Sequence, residues 1–503
     1  MAREPSVAQS PLVLSVDVGS SSVRAAAHTA DGSPLPGSEA QIASSFDTTP
    51  DGGVQIDADV LFDRLAQAID IALQRLGRQA SAIQGVGASV FASSVLGVDA
   101  TGEPRTPVYT YADTRCADDA AVLRQEWDVA GSYDRTGTPI HASYLPARLR
   151  WLRRTQPHVV RQVARWITFA EYACQRLFGR PCGLGLSLAA WSGMLNRREL
   201  DWDLATLGAL NVDPTSLGAI DPAGDPLRGL TEPWRQRWPA LADVPWFPAL
   251  GDGLCSNLGT ASAEADAIVF NIGTSAAVRA LVPGPVRSVP AGLWEYRVDR
   301  SRSLLGGAES NGGIVVAWLR DLLRGVRSDD PDDVIAHLPP DGHGLTVLPF
   351  LAGERSPGWD DSARATIHGA RLNTQPADLL LAGIEAVAFR LAAIYDLLVP
   401  VIGEPHVVHV SGGALQRSDR WTQILADVLG RPVIRSAVAE PTSRGAAIWA
   451  LQSLGRPLPA VELNEGDQPF EPNLAHHAVY QEARARQRRL YQRMSGAGGL
   501  DVH

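Results

Sequence analysis

The chain has 503 residues, 45% of them hydrophobic and 20% charged, and a formal net charge of −10 at pH 7. This length predicts two or more domains. The net charge is negative and the basic residues do not cluster, which argues against a surface that binds nucleic acid. No stretch approaches the about 20 apolar residues that span a membrane, and the opening segment lacks the apolar core of a signal peptide. We therefore expect a globular cytoplasmic protein.

The basic residues are all arginine, because the sequence contains no lysine. A P-loop lysine, a protein-kinase lysine and a Schiff-base lysine are therefore excluded. Any ATP chemistry must depend on glycine turns, hydroxyl groups, carboxylates and a metal ion. The cysteines lack the spacing of metal ligands, which predicts reduced structural thiols at Cys116, Cys174, Cys182 and Cys255.

One local pattern occurs twice, as LVLSVDVGSSSVR at residues 12–24 and as AIVFNIGTSAAVR at residues 267–279. In each copy an apolar strand reaches Asp17 or Asn271, a glycine follows two residues later, and hydroxyl residues precede a second strand. Glycine lets the backbone approach a ligand, and the next amides and hydroxyls form an anion-binding concavity. A single copy is more typical of an ordinary hairpin. Two copies predict two related domains that face one polyphosphate.

Further helices and strands are predicted along the chain. Apolar spacing predicts a helix over Val60–Leu76, and Ile83–Val98 is typical of two strands joined by a Gly-Ser loop. We expect a helix over Arg165–Phe178 and a glycine-rich loop that enters a helix over Leu305–Leu323. The remaining predicted elements are a helix at Ala377–Leu398, a strand at His406–Ala414 that ends in two glycines, and helices at Ser418–Leu429, Ser443–Leu454 and Gln481–Arg493.

Three polar positions are candidates for chemistry, and each has an alternative structural role. Asp252 lies between two glycines at the start of a predicted helix, where a carboxylate is either an N-cap or a base at a domain junction. Asp113 follows a short strand and is equally consistent with a ligand rim and with a helix N-cap. His141 precedes a predicted helix, although a single histidine is more often structural than catalytic.

Five segments in the same order resemble motifs of the FGGY carbohydrate kinases, and the resemblance extends over about residues 13–454. The segments are DVGSSSVR at 17–24, GDG at 251–253, NIGTS at 271–275, FLAGERSPGWD at 350–360 and VSGGALQRSDRWTQILADVLGRPV at 410–433. The resemblance implies an α/β fold with two actin-like (ribonuclease H-like) domains, each with a mixed central sheet flanked by helices, around an interdomain cleft.

The same resemblance implies a domain organisation. Residues 11–261 would form the N-terminal domain, with the sugar site, the first phosphate loop and the catalytic aspartate. Residues 262–490 would form the C-terminal domain, with the second phosphate loop and the adenosine site. Residues 1–10 and 491–503 are expected to be flexible tails.

The resemblance also implies an ATP-dependent, Mg²⁺-requiring kinase in which Asp252 is the general base. Asp17 and Asp252 would hold the metal ion. The implied ATP-binding residues are Gly19, Ser20, Ser21, Arg24, Gly273, Thr274, Asn311, Gly312, Gly313, Gly412, Gly413 and Ala414. The implied substrate-binding residues are Ser89, Phe91, Ser93, Asp113, His141, Tyr144 and Asp252.

The acceptor is expected to be a small sugar or sugar acid. TGTPIHASYLPARL at 136–149 and YADTR at 111–115 are most similar to the gluconokinase-like branch, which favours a gluconate-like substrate. The chain departs from that branch at Ala92-Ser93, where relatives carry Trp-His, and at Tyr111, where a tryptophan is usual. A xylulose, polyol or ketose kinase, a catalytically weak sugar or nucleotide sensor and an actin-like or chaperone-type ATPase remain alternatives. A homodimer is also left open, with neither a nucleic acid nor a membrane as partner.

Overall fold

The computed structural model describes residues 11–261, 267–323, 331–405, 407–456 and 466–494. The chain divides into two compact units. The first contains Met1–Ala263, Tyr296–Arg302 and Glu440–Val461, and the second contains Glu264–Glu295, Ser303–Ala439 and Glu462–His503. The predicted tail at residues 1–10 lies outside the described residues, whereas residues 491–494 continue the Leu474–Met494 helix.

The first unit is built on a five-stranded sheet. Its strands lie in the order Leu250–Gly251, Ile83–Val90, Leu12–Val18, Ser22–His28 and Ala40–Ala43. The first three of these run parallel to one another, and the Leu12–Val18 strand pairs antiparallel with Ser22–His28 to form the predicted hairpin. All seven residues of Leu12–Val18 are buried, as expected for an apolar strand with helices on both faces.

Two helices pack together against one face of this sheet. The Pro441–Ser453 helix contacts the Leu12–Val18 and Ile83–Val90 strands and also the Asp252–Ala261 helix. Ser15 Oγ lies 2.7 Å from Ser443 Oγ, and a Cβ on Gly87 would lie 2.1 Å from the carbonyl oxygen of Ala446. Because this helix packs so closely on the first sheet, Glu440–Val461 belongs to the first unit. The sequence had predicted a continuous second domain over residues 262–490.

A smaller sheet and further helices complete the first unit. The smaller sheet has the order Asp47–Thr48, Val54–Ile56, Val108–Tyr109, Val95–Val98 and Arg165–Thr168. Two short strand pairs join Leu184–Gly185 to Ile220–Asp221 and Leu195–Asn196 to Asp201–Trp202. The other α-helices are Ala58–Leu76, Ala117–Glu126, Val129–Thr136, Leu145–Thr155, Pro157–Val160, Phe169–Phe178, Leu186–Trp191, Leu204–Leu210 and Glu232–Arg237, and the 3₁₀-helices are Gly77–Ala82, Pro214–Ser216 and Pro239–Leu241.

The second unit contains a sheet with a similar hairpin. Its strands include, as successive neighbours, Arg302–Glu309, Ala276–Pro283, Ala267–Ile272, Val407–Ser411, Val433–Arg435 and Gln468–Phe470. Ala267–Ile272 pairs antiparallel with Ala276–Pro283 and parallel with Val407–Ser411. The helices are Gly313–Leu322, Pro331–Ile335, Pro376–Ile402, Gly413–Gln416, Asp419–Leu429 and Leu474–Met494, and the remaining strands are Thr346–Leu348 and Thr366–His368. The Trp294–Arg297 strand begins in the second unit and ends in the first.

The sequence-based elements coincide with the observed ones except at three places, and His406, the predicted start of one strand, lies outside the described residues. The helix predicted over Gln481–Arg493 begins seven residues earlier, at Leu474. The predicted helix over Arg165–Phe178 is wrong for its first four residues, which form the Arg165–Thr168 strand. Thr168 then caps the helix in a capping box with Glu171. The predicted loop from Leu305 is also wrong at its start, because residues up to Glu309 belong to a strand. No helix in the described part of the chain is long and apolar enough to cross a membrane.

Candidate functional site

The carboxyl ends of three parallel strands bring Asp17 and Asp252 to one edge of the first sheet. Asp17 is in register with Ser89, and Ser89 is in register with Leu250 on the next strand. Asp252 follows directly after the Leu250–Gly251 strand and begins the Asp252–Ala261 helix. Its charge is close enough to contribute to the raised pKa of Asp17. The sequence prediction that both aspartates belong to one site is consistent with this arrangement.

Asp17 is a buried carboxylate whose negative charge is only partly compensated by its neighbours. The residue is 2% exposed, and Arg24 Nη1 lies 3.6 Å from its Oδ2 atom. Its Oδ1 atom has no hydrogen-bond partner among the residues that the structure describes. Burial raises the pKa of Asp17 to about 7, Arg24 opposes this shift and Asp252 adds to it. A buried carboxylate oxygen of this kind fits a divalent cation, which prefers oxygen ligands.

Arg24 is held between two carboxylates. Its Nε atom lies 3.4 Å from Oε2 of Glu440, and its Nη1 atom is the neighbour of Asp17. Glu440 immediately precedes the Pro441–Ser453 helix and comes from the other half of the chain. The sequence analysis predicted Arg24 as an ATP-binding residue but missed Glu440, because no local pattern links the two positions.

Two glycines allow the helix that begins at Asp252 to pack closely against the Pro441–Ser453 helix. A Cβ on Gly259 would lie 1.8 Å from the carbonyl oxygen of Pro441, and a Cβ on Gly445 would lie 1.8 Å from that of Cys255. Arg444 Nη1 donates to the carbonyl oxygen of Gly259 at 2.7 Å. At the start of the helix, the backbone N–H of Gly253 donates to Oδ1 of Asp252 at 2.8 Å. The glycine contacts fix the helix that begins at Asp252, and the Gly253 N–H contacts its carboxylate.

Ser93 and Tyr144, two of the predicted substrate-binding residues, line one cavity of about 40 Å³ in the first unit. Ser93 has a φ of 54°, and its Oγ atom donates to the carbonyl oxygen of Trp191 at 3.1 Å. The hydroxyl of Tyr144 lies 2.6 Å from the hydroxyl of Tyr296. Tyr296, whose ring packs on Trp191 with centroids 4.8 Å apart, is a residue that the sequence analysis missed.

The other predicted substrate-binding residues have different surroundings. Ser89 and Phe91 are fully buried, and the ring of Phe91 packs against Phe46 with centroids 5.3 Å apart. His141 is 5% exposed, and its Nδ1 atom accepts a hydrogen bond from the backbone N–H of Ser143 at 3.1 Å. These three side chains are therefore buried within the first unit.

Asp113 is neither a helix N-cap nor an exposed rim residue, because it lies in a buried ion-pair cluster. Its Oδ2 atom lies 2.5 Å from Arg115 Nη2, and its Oδ1 atom lies 2.7 Å from Arg148 Nη1. Although burial alone would raise the pKa of Asp113, the two guanidinium groups hold it below its ordinary value. The guanidinium of Arg115 also lies 4.7 Å from the ring centroid of Trp151. This cluster fixes the YADTR segment in place.

The glycine turn of the second unit meets two other predicted nucleotide segments. The backbone N–H of Gly313 donates to the carbonyl oxygen of Gly273 at 2.8 Å, and Asn271 Nδ2 donates to Ser411 Oγ at 3.1 Å. Gly412 has a φ of 99°, and a Cβ there would lie 2.5 Å from the carbonyl oxygen of Ile272. Gly273, Thr274, Gly312, Gly313, Gly412, Gly413 and Ala414 therefore belong to one region at the carboxyl ends of the Ala267–Ile272 and Val407–Ser411 strands.

Asn311 is an internal anchor rather than an exposed group. Its Nδ2 atom donates to Oε1 of Glu309 at 2.6 Å and to the carbonyl oxygen of Gly353 at 2.7 Å. Its Oδ1 atom accepts from the backbone N–H of Ala352 at 2.9 Å. Asn311 is fully buried, so any influence on a nucleotide passes through the loop that it holds.

In the first unit, Ser20 and Ser21 are exposed at the turn after Gly19.

Comparisons with known proteins cover most of the chain. A family model described as the N-terminal domain of the FGGY family of carbohydrate kinases matches residues 12–259, and the C-terminal domain model of that family matches residues 268–454. The gluconokinase of Bacillus subtilis (strain 168) is 28% identical over 381 residues, which cover 72% of this chain and 73% of that protein.

Two solved structures from Lactobacillus acidophilus share the fold. A ligand-bound xylulose kinase superposes with a TM-score of 0.88 at 25% sequence identity, and a gluconate kinase superposes with a TM-score of 0.87 at 25% identity. Each comparison covers 97% of this chain and 99% of the other chain. The likeness to these two structures does not distinguish between their acceptors.

Proposed function

The chain belongs to the FGGY family of carbohydrate kinases, and we propose that it transfers the γ-phosphoryl group of ATP, with Mg²⁺, to a hydroxyl group of a gluconate-like sugar acid. The observation that carries this proposal is the buried, incompletely compensated carboxylate of Asp17 beside Asp252. A protein gains nothing in stability from such a charge, so its retention at strand ends supports a functional role.

In the proposed reaction Asp252 accepts the proton of the attacking hydroxyl group. The hydroxyl oxygen forms a bond to the γ-phosphorus, the bond to the bridging oxygen breaks, and ADP leaves. Asp17 is the proposed metal ligand, with Asp252 as its neighbour, and Arg24 lies where it can compensate the charge of Asp17. When bound, the metal ion supplies charge neutralisation along the phosphates.

We propose that the two glycine turns bind the phosphates of ATP. In the first unit this role falls to Gly19, Ser20, Ser21 and Arg24. In the second unit it falls to Gly273 and Thr274, with Gly312, Gly313, Gly412, Gly413 and Ala414 in contact with the nucleoside. Thr274 and Gly413 are exposed, which leaves room for a ligand at the turn and at the double glycine. Asn311 would act indirectly, by holding the Ala352–Gly353 backbone.

The proposed acceptor rests on the relatives and on the small cavity near Ser93 and Tyr144. The gluconokinase of Bacillus subtilis supports a sugar acid. A xylulose or polyol kinase is the second candidate, because the xylulose kinase from Lactobacillus acidophilus is as similar in sequence as the gluconate kinase. The small residues Ala92 and Ser93 leave more room than an aromatic residue and a histidine, which favours neither candidate alone.

The test is coupled ADP release with Mg·ATP across a panel of sugar acids, ketoses and polyols that includes gluconate and xylulose. Asp252→Asn keeps the size of the side chain but removes the base, so we expect turnover to fall by about 10²–10⁴-fold while ATP still binds. Asp118→Asn, at an exposed helix position, is the matched control and should turn over normally.

Three outcomes separate the candidates. Turnover that is highest with gluconate supports the proposal. Turnover that is highest with xylulose or a polyol would show that this compound, and not gluconate, is the acceptor. ATP binding without ADP release for any acceptor would favour a sugar or nucleotide sensor. Full activity of Asp252→Asn would exclude Asp252 as the base.

A further inference from the structure

The first unit contains a cavity of about 300 Å³ that the proposed reaction does not use. Its walls include Leu65 of the Ala58–Leu76 helix, Ala173 and Leu177 of the Phe169–Phe178 helix, and Leu188 of the Leu186–Trp191 helix. Trp246 and Phe247 add aromatic surface. The volume is at the lower end of the range of about 300–1,000 Å³ for small-molecule sites, which are lined mainly by apolar side chains.

The cavity lies behind the strands that carry the candidate catalytic groups. Val16 and Val18 line it, and these residues flank Asp17 on the Leu12–Val18 strand. Ala88 and Val90 also line it and flank Ser89 on the neighbouring strand in the same way. Successive side chains of a strand point to opposite faces. The cavity therefore lies on one face of the Leu12–Val18 strand, and the carboxylate of Asp17 lies on the other.

The third strand has the same relation to the cavity. Pro248 and Ala249 line the cavity immediately before the Leu250–Gly251 strand, and Asp252 follows that strand. A ligand in the cavity would therefore touch the backs of the two strands that carry Asp17 and Ser89, and the segment that leads into the strand before Asp252.

The polar groups of the cavity favour an uncharged ligand. The Oε2 atom of Glu171 accepts from the backbone N–H of Thr168 at 2.7 Å and from its hydroxyl at 2.9 Å. The Oδ1 atom of Asp221 accepts from the backbone N–H groups of Ala223 and Gly224 at 3.0 and 3.1 Å. Since these two carboxylates accept local hydrogen bonds and the third acidic residue of the lining, Asp225, is exposed, the inner wall offers mainly apolar surface to an occupant.

We propose that this cavity is a binding site for a neutral, mainly aliphatic molecule, and that occupancy rigidifies the strands that carry Asp17 and Asp252. A water molecule takes about 30 Å³ of liquid, so the cavity has room for about ten groups of that size. A medium-chain alcohol meets this description, with its hydroxyl at the exposed mouth near Arg180 and Pro226. Regulation of phosphoryl transfer through this site rests on the proposed function.

Binding is tested by isothermal titration calorimetry with 1-butanol, 1-hexanol and 1-octanol. Each added methylene should tighten binding by about fourfold while the chain still fits, because a buried methylene contributes about that factor. Ala173→Leu should weaken binding of 1-octanol, and Ala173→Phe should abolish it, since both fill the cavity. Leu177→Met conserves volume and should bind as the parent protein does.

Hydrogen exchange provides the second readout. Bound 1-octanol should slow amide exchange in residues 12–18 and 83–90 of the parent protein, and should have no effect in Ala173→Phe. If no alcohol binds saturably, or if the parent and both Ala173 variants bind equally, the cavity is not a binding site. Binding without a change in exchange at these strands would overturn the coupling.

These measurements do not require turnover. If no acceptor supports ADP release, the proposed function fails while calorimetry and exchange still decide the cavity proposal. If turnover is established, 1-octanol should change its rate in the parent protein but not in Ala173→Phe. An equal change in both proteins would contradict regulation through the cavity.

Discussion

Replacing Asp17 by asparagine should stabilise the metal-free protein while removing its activity. Asparagine has nearly the same shape as aspartate but carries no charge. In the folded protein burial raises the pKa of Asp17 from its ordinary value of 3.8 to about 7. The folded state therefore binds more protons than the unfolded chain between these values, and its stability falls as the pH rises through them.

The size of the effect follows from the two pKa values. At pH 5 the carboxyl group is protonated in the folded protein and ionised in the unfolded chain, which costs about 1.5 kcal/mol of stability. At pH 8 the full difference between the pKa values applies and the cost is about 4 kcal/mol. The amide that replaces the carboxyl group has its own desolvation cost at both pH values, so the increase of about 2.5 kcal/mol between them is the quantity to test.

The assay is urea unfolding at pH 5 and pH 8 in the presence of a chelator. Asp17→Asn should raise the urea midpoint more at pH 8 than at pH 5, and Asp118→Asn should leave it unchanged. Mg²⁺ should stabilise the parent protein and not Asp17→Asn, because only the parent keeps the carboxylate that we propose as the metal ligand. A stability change that is the same at both pH values would refute the assignment of a buried, weakly compensated charge to Asp17.

Three further substitutions test the surroundings of this site. Gly445→Ala places a Cβ against the carbonyl oxygen of Cys255, so we expect a loss of about 1–3 kcal/mol in urea unfolding, with lower turnover. Asp113→Asn removes the acidic partner of one buried and one half-buried guanidinium group and should cost about 3–5 kcal/mol in the same assay. Glu440→Gln leaves Arg24 with Asp17 as its acidic neighbour, so the Mg²⁺ concentration for half-maximal turnover should rise, while Glu199→Gln, at an exposed position, should not change it.

The turns and the strand ends could be predicted from the sequence because their signals are local. A buried apolar strand, a glycine and hydroxyl residues define the hairpin at Leu12–His28, and the same order defines the hairpin at Ala267–Pro283. Asp252 was identified by its position between two glycines and by the motif resemblance. In each case the residues that determine the backbone are neighbours in the chain.

Contacts between distant segments could not be predicted in this way. Nothing around Glu440 indicates that it pairs with Arg24, and the glycine at position 445 gives no sign that a helix from the first half of the chain packs on it. Asp113 was open to a ligand-rim role because the arginine at position 148 comes from a separate helix. Asn311 stands beside two glycines and resembles a loop residue, although its amide is consumed by buried partners.

The arrangement around Arg24 suggests how the chain keeps Asp17 available to a cation. A close bidentate pair would neutralise the carboxylate and hold its pKa low. Instead, Arg24 lies 3.6 Å from Asp17 and 3.4 Å from Glu440, so that one guanidinium serves two carboxylates. The shared cation leaves Asp17 with a pKa near neutrality and an oxygen that lacks a donor within the described residues. The folded protein therefore bears its electrostatic cost at the residue that we propose as the metal ligand, where a bound cation would offset it.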